Sequence, residues 1–156
     1  MSKSTSEIVY DQAVRAVEQQ ACQLDELRTR TAVILAASGV VTGFLLGRAA
    51  VDARLGAFGY CAVAAFVVSA LASVWVLLPR WENWAFSINA KKLMPYFLNE
   101  ADPEPADALF KYLAGQIQDD YDENFKLLDK LYQWFTGACL ALAVEVFLWF
   151  LAFVLD

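Results

Sequence analysis

Three stretches of the chain are almost free of charge. Residues 31–47, 57–78 and 134–155 contain no Lys, Arg or Asp, and between them they hold one carboxyl side chain, Glu145. A helix rises about 1.5 Å per residue and the hydrocarbon core of a bilayer is about 30 Å thick, so each stretch is long enough to cross it, the first only just. Outside these runs the pattern changes to that of a helix with one apolar face. Tyr10, Val14, Val17, Ala21, Leu24, Leu27 and Thr31 recur every three to four residues, behind Ser4 and Glu7 at the spacing of a capping box. No Gly or Pro follows before Gly39, so the pattern predicts a single helix that enters the first span. A second stripe, Leu109, Leu113, Ile117, Tyr121, Leu128, Leu131 and Phe135, starts after the turn-rich residues 99–105 and continues into the third span. Residues 51–56 read as a hairpin, and residues 80–98 as a shorter amphipathic segment rich in aromatics.

The expected fold is therefore all-α: one membrane domain over residues 1–156, with three transmembrane helices. Two long helices extend from them into a cytoplasmic helical stalk built from residues 1–30 and 80–133. Two stripes of this spacing should pack on each other or on copies in neighbouring subunits. A hydrophobic share of 59% in a chain of 156 residues is too great for a soluble bundle, which is too small to cover three such helices on all sides. All but two of the 12 Lys and Arg residues fall on one side of the spans; the exceptions, Arg48 and Arg54, lie in the loop between spans one and two. That bias places the N-terminus and the middle segment in the cytoplasm. Residues 1–7 are polar, and the first apolar run begins too late for a cleaved signal peptide.

Charge and residue chemistry narrow the function classes. There is no histidine, no Gly-rich phosphate loop and no paired-cysteine motif, so an enzyme is not expected and no cofactor or metal is implied. Cys22, Cys61 and Cys139 sit in separate helical stretches and read as small apolar residues. A net charge of −6 argues against non-specific nucleic-acid binding by the whole surface. Residues 119–124 alternate acids as a calcium loop begins, but Phe125 stands where the turn glycine belongs and the stripe demands helix, so this is a solvated face.

Glu145 is the sharpest residue, because a carboxyl group in mid-span costs about 2.5–3.5 kcal/mol even on the lenient insertion scale and must face protein or water. It shares a helical face with Gly137 and Ala141, and depth counted from each span's ends brings Ser38 and Ser69 to a similar level as hydrogen-bond partners. Two roles fit: a protonated glue between helices, or a ring of acids from several copies lining a pore. Gly39, Gly43 and Gly47 form a small-residue face suited to close helix approach, and homo-oligomerisation is the expected use. Arg80, Trp84, Lys91 and Lys92 mix cations with aromatics next to the second span. They serve either as an interfacial belt on membrane lipid or, arranged around a cytoplasmic cavity, as a site that stacks bases and neutralises phosphates.

Two segments carry a resemblance: Leu24-Asp25-Glu26-Leu27-Arg28-Thr29-Arg30-Thr31 leading into residues 32–47, and Tyr121-Asp122-Glu123-Asn124-Phe125-Lys126-Leu127-Leu128-Asp129-Lys130 leading into the last span. In this layout the chain resembles the small multi-span effectors of bacterial nucleotide-signalling anti-phage systems, such as the Pycsar, CBASS and Hailong membrane effectors. The resemblance covers most of the chain and is one of organisation. It implies a homo-oligomeric channel or pore controlled by a cytoplasmic nucleotide or single-stranded oligonucleotide, with a nucleotide-synthesising enzyme as partner. The chain departs from effectors that append a soluble sensor domain, which moves ligand binding to the helical stalk, as a Hailong-type effector that looks like a sensor of short DNA strands would have it. The competing expectation is a non-conducting scaffold that recruits a protein partner through the stalk.

Overall fold

The computed structural model describes residues 4–51, 56–78, 84 and 106–155, with residues 48–51 as backbone only. Three helices account for them, with no strand among the described residues: α1 (Thr5–Val51), α2 (Ala57–Leu77) and α3 (Ala106–Leu155). All three are long and apolar enough to cross a membrane. The amphipathic segment expected over residues 80–98 lies outside the described residues apart from Trp84, as does most of the 51–56 hairpin.

Local chemistry accounts for the helix ends. Ser4 Oγ accepts the Glu7 backbone N–H at 3.3 Å, capping α1 with one half of the expected box. α2 stops where Leu78 turns extended (φ −60°, ψ 121°), the conformation that the following Pro79 imposes on its predecessor. α3 begins directly after Pro105 and carries Asp107 in its first turn, where a negative charge suits the exposed backbone N–H groups. Residues 119–124 are helical, so their acids do not form a calcium loop.

The chain divides into two packed units, with α1 and α3 contributing to both. In the first, Met1–Leu24 with Arg80–Leu128, the described parts of α1 and α3 run parallel. Tyr10 lies against Phe110 at 5.5 Å between ring centres, and the Gln20 side-chain amide donates to the Tyr121 carbonyl at 3.0 Å. Val17, Leu24, Leu113, Ile117 and Leu128 are buried, and the charged side chains point outward. This is the ordinary pattern of a helix pair in water.

The second unit, Asp25–Pro79 with Asp129–Asp156, reverses that pattern. Its interior holds many small and polar residues, Thr31, Ser38, Thr42, Ala62, Ser69, Ser73, Ala138 and Glu145, beside a few larger apolar ones, Leu27, Val76, Leu131 and Trp149. Its outside is large and apolar, with Val40, Phe44, Leu71 and Phe150 each more than 60% exposed. Small residues let helix backbones approach closely and hydroxyls bond across them, whereas the exterior has no way to shed its apolar surface in water. Lipid is the solvent that this unit matches. The buried positions repeat every seven residues (Thr31 and Ser38; Ala62, Ser69 and Val76; Leu131, Ala138 and Glu145), the period of left-handed helix packing.

At the start of the first unit, Ser4 and Ser6 both donate to Asp107 Oδ1, the former at 2.9 Å. The Ser6 and then the Ser4 hydroxyl hold this carboxyl below its ordinary value of 3.8. A folded value below the unfolded one means that this tie is fully present above the unfolded value and is lost as pH falls through the folded one. Asp107→Asn should therefore speed amide exchange in the first turns of α1 at neutral pH and remove the further acceleration that the unmodified protein shows below about pH 4.

Candidate functional site

The site is built where α1 and α3 run side by side in the second unit. Positions four apart on a helix lie one above the other, so Ser38 and Thr42 form a two-hydroxyl ladder on α1, and Glu145 and Trp149 form its counterpart on α3. Ser38 Oγ donates to Glu145 Oε2 and Thr42 Oγ1 donates to Glu145 Oε1, each at 2.5 Å. Trp149 Nε1–H points to Thr42 Oγ1 at 3.4 Å. The order of donation is thereby fixed: Thr42 accepts from the indole and passes its own hydrogen to the carboxyl. Both oxygens of Glu145 are satisfied by α1 alone, and Ser38 and Glu145 have no exposed surface at all.

Such bonding answers the central energetic problem of this span. An acid at mid-depth without partners costs several kcal/mol, and each buried hydrogen bond returns about 1 kcal/mol while sparing the larger cost of an unpaired group. In this conformation Glu145 acts as a clamp between two helices of one chain, and it does not face a surface from which it could line a lumen.

Ser69 stands elsewhere. Its hydroxyl donates to the Ala138 carbonyl at 3.2 Å, seven residues before Glu145 along α3, or about 10 Å away. Counting depth from span ends assumes that the three spans begin at one level. Packing sets the real register: α2 runs antiparallel to α3, with Ser69 at Ala138 and Trp75 against Trp134 at 5.8 Å between ring centres. Thr42 escaped the sequence reading, although its place one turn beyond Ser38 was a usable signal. Trp149, one turn beyond Glu145, escaped for the same reason, since a tryptophan in an apolar run reads as a lipid anchor.

Among the described residues, nothing packs on the glycines of the small-residue faces. Gly39, Gly43, Gly47 and Gly137 are exposed, and a Cβ added at any of them would meet no atom of the described residues within 4 Å. Gly39 and Gly43 directly follow the ladder residues Ser38 and Thr42, so that helix carries an inward hydroxyl face and, about 100° around, an outward glycine face that Gly47 continues. Ala141 is half-buried beside Ala138, the buried residue at the α2 contact. Of the four residues expected to meet a ligand, Trp84 is half-buried, and Arg80, Lys91 and Lys92 lie outside the described residues.

No model of a known protein family matches the sequence, and no curated protein or solved structure matches it.

The clamp predicts an order of stabilities in micelles, read by thermal or denaturant unfolding. Glu145→Ala, which strands two buried hydroxyls and leaves a void, should cost about 2–4 kcal/mol. Thr42→Val removes one bond and leaves the Trp149 N–H without its acceptor, for about 1 kcal/mol. Glu145→Gln keeps the shape and one good acceptor and should cost less than either of the other two. Equal stability of all three variants would remove the clamp from the account.

Proposed function

We propose that the chain is a bacterial inner-membrane effector, N-terminus in the cytoplasm, that assembles from several copies into a ligand-gated ion channel or pore. The observation that carries this reading is the Glu145 cluster. A passive anchor has no use for a mid-span acid, and intramembrane ionisable residues belong by default to ion paths, proton relays or ligand sites. Held between Ser38 and Thr42, the carboxyl belongs to a closed state; parting α1 from α3 would present an acid and two hydroxyls to entering water and cations. Three spans are too few to enclose a path, which makes assembly necessary. The outward Gly39, Gly43 and Gly47 face supports that requirement, because a second helix can approach there without displacing any atom of the described residues. By the resemblance to anti-phage effectors, the controlling ligand is a cytoplasmic nucleotide or single-stranded oligonucleotide made by a partner enzyme, met by Arg80, Trp84, Lys91 and Lys92.

A second reading, a scaffold that recruits a protein partner, is favoured by one feature of the first unit. An open cleft of about 920 Å³ runs between Ile8, Val9 and Gln12 of α1 and Lys111, Ala114 and Gly115 of α3, and Ile8 and Val9 are about half exposed beside it. An apolar cleft of this kind suits an amphipathic helix.

Both readings are tested on purified protein in liposomes and in mild detergent. The channel reading expects ion flux that candidate nucleotides or short single strands switch, altered conductance or selectivity in Glu145→Gln, and a closed ring of identical subunits by mass. Gly43→Leu should leave the protomer folded, since its Cβ is unopposed, and abolish both ring and flux. A monomer that never conducts under any ligand and cross-links to a different protein sinks the channel reading in favour of the scaffold.

A further inference from the structure

Glu145 is fully enclosed, and the apolar runs that surround it supply no cation: residues 31–47, 57–78 and 134–155 contain no Lys or Arg. Residues 31–47 of α1 include no titratable side chain at all. The others in the described spans are Tyr60 and Cys61 on α2, both exposed, and Cys139 on α3, half-buried, and none is bonded to the cluster. An enclosed carboxylate without a counter-charge is costly, and such groups are relieved by neutralisation.

What neutralises this one is decided by the oxygens of the cluster, two from Glu145 and one each from Ser38 and Thr42. Hard metal ions take about six or more oxygen ligands, and the next group here, the Trp149 indole N–H, is a donor that cannot ligate. A proton needs only a second oxygen at about 2.5–2.7 Å, and Ser38 Oγ stands 2.5 Å from Glu145 Oε2.

The two sides of the carboxyl are unequal as places for that proton. Thr42 Oγ1 already accepts from the Trp149 N–H, so its own hydrogen stays directed at Oε1. No donor among the described residues points to Ser38 Oγ, which has lone pairs to offer an acid O–H. The hydrogen that Ser38 donates also has another destination. A helical hydroxyl can bond to the carbonyl four residues earlier, and Thr29, Thr31 and Thr136 do so in this chain at 2.9, 2.7 and 2.9 Å. For Ser38 that carbonyl belongs to Ile34.

We infer that Glu145 is a reversible proton-binding site in which the proton sits on Oε2 and is held by Ser38. On uptake, a proton from water joins Oε2, the new O–H donates to Ser38 Oγ, and the Ser38 hydrogen turns to the Ile34 carbonyl. Oε1 becomes the carbonyl oxygen and keeps its bond from Thr42. On release the serine turns back, so the carboxyl has two hydrogen bonds in both states. Proton uptake here rests on the reading of Glu145 as an ion-path residue and names the ion that the closed cluster holds. Infrared spectroscopy reads the carboxyl directly, so a failure to conduct counts against the channel and not against proton uptake.

Infrared titration of the full chain in liposomes, from alkaline to acid buffer, tests the site. The unmodified protein should gain a protonated-carboxyl C=O band that shifts in heavy water and is lost in Glu145→Gln. Ser38→Ala and Thr42→Val should each move this band to higher frequency, because the acid loses one of its two hydrogen bonds. Those two shifts identify the band if Glu145→Gln does not purify. At fixed pH its intensity should be the same in sodium, potassium and calcium buffers. An acid-induced carboxyl signal that is identical in Glu145→Gln, or in both Ser38→Ala and Thr42→Val, overturns the proton site. A band that moves in Thr42→Val and stays in place in Ser38→Ala overturns the placement on Oε2. A Glu145 band that persists undiminished in alkaline buffer overturns reversibility, and loss of the band on adding one metal cation at fixed pH overturns the choice of the proton.

Discussion

Glu145 accepts one hydrogen bond on each oxygen from Ser38 and Thr42, and the second unit is arranged so that this is possible. An acid in a long apolar helix is tolerated only where a neighbouring helix supplies donors at its own depth. That demand fixes the register of α1 against α3 at the carboxyl, because a slip of one residue would carry both hydroxyls about 100° around their helix and leave the acid facing carbon. Trp149, tied to Thr42, extends the same register by one turn. α2 joins by a weaker device, a serine on a main-chain carbonyl, and close approach there depends on Gly59, Ala62 and Ala72 being small and buried.

The two packed units follow opposite rules with the same two helices. In one, leucine, isoleucine and valine make most of the interface, with Gln20 and Asn124 buried among them, and charges face outward, so burial of apolar area supplies most of the stabilisation. In the other, most large apolar side chains are outside, and the interface combines small residues, hydroxyls and one acid with Leu27, Val76, Leu131 and Trp149. In each unit the buried residues of α3 recur every seven positions, Ile117 and Asn124 in the first and Leu131, Ala138 and Glu145 in the second. What differs between the units is the identity of the residues inside and outside, not the spacing. Composition therefore tells which solvent each stretch of helix is made for.

Much of this was legible in the sequence. The apolar runs and the three-to-four-residue stripes led directly to three helices, because helix period and span length are properties of local pattern. The isolation of Glu145 identified the acid, and its need for a hydroxyl at equal depth identified Ser38. Register between helices was not legible: it depends on which small residues meet, so Ser69 was assigned to the acid when it bonds at Ala138 instead. Thr42 and Trp149 were missed because they read as filler in apolar runs until the acid's second oxygen has to be satisfied. The placement of Gly137 on the acid's own face was also too coarse. One residue's rotation separates exposed Gly137 from buried Ala138, and only the packed helices resolve a difference that small.

The order of the helices along the chain has a consequence for how the protein is made. Synthesis runs from the N-terminus, so α1 and α2 leave the ribosome before α3, the helix that bears the acid. In a bilayer, the hydroxyls of Ser38 and Thr42 are already at their depth when Glu145 arrives. The acid can be received by its donors as it enters and need not wait alone among lipid tails. With the helices permuted so that α3 came first, the same contacts would be available at the end, but the nascent chain would have to pass through its least favourable intermediate to reach them.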